Sequence, residues 1–341
     1  MAGFSEISLL NFTQFADLTK RTFTKWPEMV SDLAEVKSLY KVEDIPANTG
    51  STKNYIESDA QTYARLKGEG ADAQKVQAGL GYNVTMTMRR FAAEIDITWE
   101  ARKTGKNQEI VQKMTDLAQF IPQRMALDLT HRLTFATATS YTDMDGETVT
   151  TTVGDGNQLV YATHTLASSA TTYSNVVTGN PQFSQGGFEV ARAAENTQVY
   201  NNFGEQRVVF TDSNRVIVTG NDPSTVREVR QLLQSTSDPT QNNPGVVNVN
   251  KNMFTHVILT RLATTATGAY DSTKSKYWAD IAKGVWEAHL GIWEQPNLKM
   301  PAAGNNGEDM HNDNWTFGTR GAYGIAILNG LGFLLSTGAG A

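Results

Sequence analysis

The sequence predicts a mixed α+β protein with an apolar N-terminal arm and a large projecting hairpin. Three observations carry that expectation. Between Asn107 and Thr137, Ile110, Met114, Leu117, Ile121, Met125, Leu129, Leu133 and Ala136 recur at steps of three or four, the period of one long amphipathic helix. Ahead of it, a polar, turn-rich excursion from Tyr40 to Leu80 returns on a run with period-two alternation, the pattern of a two-stranded ribbon. After it, short β-branched runs alternate with capped helical segments and give way to a glycine-rich tail.

Taken in order, residues 1–39 carry Phe12, Phe15, Leu18, Phe23, Trp26, Met29, Val30, Leu33 and Val36. Helical spacing begins only at Met29, and Pro27 with the scattered aromatics before it predicts an extended arm leading into a short helix. An arm this apolar requires a surface to cover, on its own body or on a neighbouring subunit. The polar excursion contains Pro46-Ala-Asn-Thr-Gly-Ser and Lys67-Gly-Glu-Gly-Ala-Asp and has too few large apolar residues to bury a core of its own. On the return, Val84, Met86 and Met88 alternate with polar residues; Phe91, Ala93, Ile95, Ile97 and Trp99 then alternate with the opposite parity. A flip at Arg89-Arg90 predicts a one-residue bulge in a long strand. The helix that follows would run about 45 Å at ~1.5 Å per residue. Pro122 removes one backbone donor and is expected to bend it.

Residues 137–181 are rich in Thr, Ser, Gly and Asp. Beyond them the sequence predicts a helix over residues 183–199 capped by Ser184, strands at 207–210 and 215–219, and a helix from Pro223 to Leu233 capped by Asp222 or Asn221. Further strands are expected at 246–249 and 256–262. Trp278, Ile281, Val285, Trp286, Leu290 and Trp293 fit a helix over 277–293 that ends near Pro296, and paired strands with glycine bends follow from Trp315.

Composition narrows the function. Of 341 residues, 40% are hydrophobic and 19% charged, enough apolar material for a sizeable core. Lys plus Arg number 29 against 35 Asp plus Glu, a net charge of -6, which excludes a generic basic nucleic-acid binder. Cysteine is absent, so disulfides, zinc-thiolate sites, iron–sulfur clusters and thiol nucleophiles are excluded, and a reducing compartment is expected. The first residues lack the basic and apolar regions of a signal peptide. The greasiest stretch, Ala322 to Leu335, is glycine-broken and shorter than the roughly 20 residues of a membrane span, so no membrane association is expected.

The chemistry-bearing residues are sparse. There is no Walker loop, dinucleotide fingerprint, nucleophile elbow or paired-histidine motif, and Gly154-Asp-Gly156 reads as a turn. His131, His164, His256, His289 and His311 are scattered, with no two at metal-binding spacing. His164, set among serines and carboxylates, comes nearest to a catalytic group, but a structural role outweighs it because such neighbours are common. Asp143-Met-Asp145-Gly-Glu147 begins like a calcium loop, lacks the acidic residue at the loop's last ligand position, and reads as an exposed turn. Arg89, Arg90, Arg102, Lys103, Lys106 and Lys113 form the one basic concentration, read as a solvated helix start rather than a contact with phosphate or with an acidic neighbour. No catalytic, cofactor-binding or metal-ligating residue is nominated; neither enzyme activity nor a cofactor is expected.

The order of elements resembles the major capsid protein of tailed double-stranded DNA bacteriophages, the Hong Kong 97 fold. Three stretches share its texture. One is Asp155-Gly-Asn-Gln-Leu-Val-Tyr-Ala-Thr-His164-Thr-Leu, running on to Thr172-Tyr-Ser-Asn175. The second is Arg215-Val-Ile-Val with Thr225-Val-Arg-Glu-Val and Gln241-Asn-Asn-Pro-Gly-Val-Val-Asn-Val. The third is Trp315-Thr-Phe-Gly-Thr-Arg-Gly-Ala-Tyr-Gly. The likeness covers nearly the whole chain and contains no invariant motif.

The resemblance implies an N-terminal arm over residues 1–39, an extended two-stranded loop over 40–91, and a peripheral domain over 92–182. That domain would hold a spine helix at about 107–137 and be joined by closing strands at about 315–341. An axial domain would cover 183–314. It further implies hexamers and pentamers of an icosahedral head enclosing double-stranded DNA without sequence-specific binding, in a virion assembled in the bacterial host cytoplasm. Partners would be other copies of the chain, a separate scaffolding protein, a portal and decoration proteins. Within the same fold, an encapsulin-like nanocompartment shell or a gene-transfer-agent head is the alternative; a β-rich hydrolase is the alternative from another class.

Overall fold

A computed structural model describes residues 16, 17, 19–21, 30–73, 75, 76, 78–104, 107–198, 200–206, 209–238, 246–300 and 313–340. Most of the expected arm lies outside the described residues. Its described end is helix α1 (Ser31–Lys37), whose Val30, Leu33 and Val36 are buried in the chain's own core. Strand β1 (Lys41–Asp44), the hairpin strands β2 (Thr52–Ala60) and β3 (Ala78–Thr87), and β4 (Arg89–Ile97) follow. A short helix α2 (Trp99–Lys103) precedes the long α3 (Asn107–Thr134). Two small ribbons come next, β5 (Ser140–Thr142) with β6 (Thr148–Thr150), and β7 (His164–Leu166) with β8 (Ser169–Tyr173). The rest is α4 (Gln185–Glu195), β9 (Arg215–Thr219), α5 (Pro223–Gln234), β10 (Thr255–Ile258), β11 (Trp278–Ala282), β12 (Ala288–Lys299), β13 (Trp315–Ile327) and β14 (Phe333–Ser336).

Helix α3 forms where its period predicts. Its 28 residues span about 42 Å. Ile110, Met114 and Leu117 bury one end against Ile97, Trp315 and Phe317, while Ile121, Met125, Leu129 and Leu133 enter the main core with Leu290, Ile292, Tyr323 and Ile327. The helix lies on a four-stranded sheet of order β1-β12-β13-β4, in which only the β1–β12 pairing is parallel. A second sheet, β10-β9-β11-β14, is covered by α4 and α5 through Phe188, Ala191, Val229 and Leu232. The main core crosses from one sheet to the other through Val216, Val218, Ala279 and Ile281.

Both covering helices start on the caps their sequences announce. The Ser184 hydroxyl accepts from Gly187 N at 3.0 Å, and Asp222 accepts from Thr225 N at 3.0 Å with Pro223 in the first turn.

Five expectations need correction. The helix expected over 277–293 is instead β11 and β12, joined through Gly284 in a positive-φ conformation of 87°. Both strands are interior to their sheets and buried on both faces, so their apolar residues run nearly continuously and satisfy a step of three or four by accident. At 246–249 there is no strand, only a bridge from Val247 to Ser237. At 256–262 the strand stops at Ile258. Of 207–210, the first two residues lie outside the description, and Val209 and Phe210 are not strand. The parity flip at Arg89-Arg90 is a change of sheet: β3 pairs with β2, β4 pairs with β13, and Met88 between them donates its N–H to Ser51 O at 2.8 Å.

Sheet membership also cuts across the expected segment 183–314. Strand β12 lies in the sheet under α3, and β14, from the tail, lies beside β11 in the other. Long-range pairing between residues so far apart leaves no local signal.

Candidate functional site

The hairpin buries little of its length at home. Its root is fixed. Tyr55 is buried, stacked on His289 at 4.2 Å between ring centroids, with its hydroxyl 3.2 Å from Glu43 Oε2. Met86 and Met88 enter a cluster with Ile45, Ala326 and Leu328. The floor under them is a paired Gly291 and Gly324. A Cβ on Gly291 would lie 2.3 Å from Met86 Cε, and one on Gly324 would lie 2.8 Å from both Met86 Cγ and Thr87 O. Burial pushes the Glu43 carboxyl up, but hydrogen bonds from Lys53 and His289 outweigh it and hold the group below its ordinary value.

Further out, polar contacts take over. Asn329 Nδ2 donates to Glu57 at 2.7 Å, and Asn202 N donates to Asp59 at 3.0 Å. Tyr63 donates to Gln206 O at 2.9 Å, and Arg65 pairs with Glu205 at 3.3 Å. Past this point Leu66 is 98% exposed and Val76 is also exposed, while Leu80 of β3, paired opposite Ser58, is exposed beside the latch. The arrangement is a ribbon anchored at its root and latched midway, with Leu66 and Val76 exposed in a largely polar tip.

The suspected calcium loop is occupied by arginines. Arg89 reaches Asp143 at 2.8 Å and Glu147 at 2.9 Å; Arg124 reaches Asp128 at 2.9 Å, Asp143 at 3.0 Å and Asp145 at 2.9 Å. Asp143 also accepts from the backbone N–H of Asp145 and Glu147 at 3.0 Å each. It is buried and not the exposed residue the turn reading expects. Burial raises its carboxyl, while Arg89 and the two backbone donors outweigh that and hold it low. Asp128 accepts from Tyr323 at 2.7 Å, yet burial prevails over Arg124 and Tyr323 and leaves it raised. The network ties α3, β4, β13 and the β5–β6 turn together. Its Arg124–Asp128 pair was missed, although spacing i,i+4 on one helix is a signal that could have found it; its other partners leave no local signal.

The remaining basic residues are also engaged within the chain. Arg90 lies 4.8 Å over the Trp293 ring, Arg102 4.4 Å over Trp315 and Lys103 5.6 Å over Trp99. Lys113 pairs with Glu109 at 3.5 Å, and Lys106 lies outside the described residues.

His164 has a carboxylate partner, Asp155 Oδ2 at 2.8 Å from Nδ1, but its Nε2 faces Leu159 O at 3.2 Å and no hydroxyl. Burial raises Asp155, and hydrogen bonds from His164 and Asn157 outweigh it, bringing the group to about 2. Around the pair, Asn175 accepts from Tyr161 N at 2.7 Å and donates to Leu159 O, while Gly330 N donates to the Tyr173 hydroxyl at 3.2 Å. A Cβ on Gly330 would sit 2.6 Å from Asn175 Nδ2. The residues that carried the first stretch of resemblance therefore form a polar knot fastening the 155–175 loop to the turn between β13 and β14.

Burial lowers His131 and His256 to about 4 each, and they face Thr264 and Thr219 hydroxyls at 3.1 and 2.9 Å; His311 lies outside the described residues. Among the described residues, no three His, Asp or Glu side chains are placed to hold a metal, and no helix is long and apolar enough to cross a membrane. Sequence reasoning missed the buried trio Arg215, Glu195 and Asp280, which no local pattern signals.

A projecting hairpin, a long helix on one four-stranded sheet and a second sheet interleaved with it define the α+β Hong Kong 97-type capsid fold. Neither a family model nor a curated protein matches the chain. Solved structures do. The capsid structure of the cyanophage P-SCSP1u is 11% identical over 87% of this chain and 85% of that one, with a TM-score of 0.50. The capsid of Ralstonia phage GP4 is 12% identical over 87% of each chain, with a TM-score of 0.49. The capsid of Myoviridae phage XM1 is 12% identical over 89% of this chain and 90% of that one, with a TM-score of 0.47.

Proposed function

We propose that this chain is a major capsid protein, many copies of which build the hexamers and pentamers of an icosahedral phage head around double-stranded DNA. One observation carries the reading: the fold shared with a phage capsid structure over 87% of the chain. The ribbon fits the same role. Among the described residues nothing covers its Leu66, Val76 and Leu80, which another copy would cover, and shells close through many such repeated contacts. A net charge of -6 suits a wall that does not grip packaged DNA.

On this reading residues 1–39 are the arm and 40–91 the extended loop. The peripheral domain takes α3 with β4, β12 and β13, and the axial domain takes β9, β10, β11 and β14 with α4 and α5. The role is structural, without catalysis, and the chain is located in the virion capsid after assembly in the host cytoplasm. A separate scaffolding protein, a portal and decoration proteins are the partners.

The test is assembly. The full chain, co-expressed with its scaffold where one is needed, should sediment as capsomers or shells. A monomer at high concentration under every scaffold and salt condition overturns the proposal. Shells with nucleic-acid absorbance support a DNA-filled head, whereas shells loaded with a cargo enzyme place the chain among nanocompartments.

A further inference from the structure

The second sheet contains a charge cluster that the shell reading does not use. Arg215 of β9, Glu195 at the end of α4 and Asp280 of β11 are 3%, 8% and 0% exposed. Arg215 Nη2 donates to Glu195 Oε2 at 2.5 Å, and its Nε lies 3.4 Å from Asp280 Oδ2 without hydrogen-bond geometry. The Arg215 guanidinium is sandwiched near the Phe188 and Phe210 rings, at 5.3 and 5.9 Å. Glu195 Oε1 and both oxygens of Asp280 have no donor. The other charged group acting on the pair is Arg192 on α4. The strand beside Asp280 on its other side, β14, is Phe-Leu-Leu-Ser and has no titratable group.

One guanidinium cannot neutralise two buried carboxylates, and three donorless carboxylate oxygens in an apolar layer are costly. A single proton eases both problems, because a protonated carboxyl donates to the other carboxylate, leaving one oxygen without a donor in place of three, and lowers the cluster's charge to zero. We propose that Glu195 and Asp280 share one proton in the folded protein at neutral pH, making the second sheet a pH-sensitive element that loosens as the proton is lost. Burial is the main reason both carboxyls are raised, Glu195 to about 7 and Asp280 well above its ordinary value; Arg215 opposes the shift in each. The proton belongs to the pair and not to one residue.

The sign follows from linkage. The folded state holds this proton more tightly than the unfolded chain, so the cluster's contribution is greatest below about 4.5 and falls as pH rises through about 7. Asp280→Asn supplies a permanent donor and removes one charge, so it should gain in Tm relative to wild type as pH rises across that window.

The direct readout is infrared. At neutral pH the folded wild-type chain should show the C=O stretch of a protonated carboxylic acid, and folded Asp280→Asn or Glu195→Gln should lose it. Absence of the band in wild type overturns the proposal, as does its persistence in either folded variant, which assigns it to another carboxyl such as the raised Asp128. If neither variant folds, Asp128→Asn decides: a band retained there supports the pair, and a band lost overturns it.

Discussion

The spine helix and the projecting hairpin use apolar residues in opposite ways. Along α3, every large apolar residue of the predicted stripe is turned inward, and Leu117, Met125, Leu129 and Leu133 are fully buried. Along the hairpin, only the root is buried, around Tyr55 and Met86, and apolar exposure rises toward Leu66. The helix stabilises its own molecule, whereas the tip has no cover among the described residues. The difference separates residues whose loss unfolds the chain from residues whose loss leaves it folded and unassembled.

The largest effect should come from Leu117→Asp. An unpaired carboxylate among Met114, Ile97 and Phe317 should cost more than about 4 kcal/mol and abolish soluble protein. Near-normal expression and melting would break the comparison at once. Leu129→Ala should cost about 2–5 kcal/mol by denaturant titration, with the cavity left open between the two sheets. At the hairpin root, Tyr55→Ala should cost about 1–3 kcal/mol, because ring stacking on His289 is lost; a value near zero would move the boundary between core and ribbon inward.

A pH test sharpens the comparison on the spine side. Burial lowers His131 from 6.5 to about 4, so its neutral ring contributes stability that is present above 6.5 and is lost as pH falls toward about 4. Nuclear magnetic resonance should find that ring still neutral below 6.5; an ordinary titration would mean that the end of α3 is solvated. The smallest effect on folding belongs to the tip. Replacing residues 66–77 by a short Gly/Ser turn should change stability by no more than about 0.5 kcal/mol. Circular dichroism should stay native while ultracentrifugation shows stable shells lost. Shells that still form would make the tip dispensable.

What the sequence revealed depended on how local the cause was. The α3 stripe, the Ser184 and Asp222 caps and the hairpin alternation are set within a few residues, and all three were legible. Trp278 to Trp293 misled because interior strands buried on both faces have no polar side to give them a period of two. The texture of Asp155, His164 and Asn175 was visible, but its purpose was not, because the knot closes on Gly330, 155 residues beyond Asn175. Arg89 looked like part of a basic patch until folding brought Asp143 and Glu147 to it. Charge balance inside a fold is a property of pairs, and sequence lists only the singles.

The interleaving of β13 between β12 and β4 also governs timing. Ile97 pairs with Trp315, so roughly two hundred residues must be synthesised before β4 acquires its sheet neighbour. At about 5–20 residues per second on a ribosome, that wait is on the order of ten to forty seconds. Throughout it, the inner stripe of the spine is made but has no sheet to lie on, and is open to chaperones. On the proposed reading, a subunit becomes competent to join its neighbours only after most of it has been translated, which would keep half-made chains on a polysome from nucleating shells.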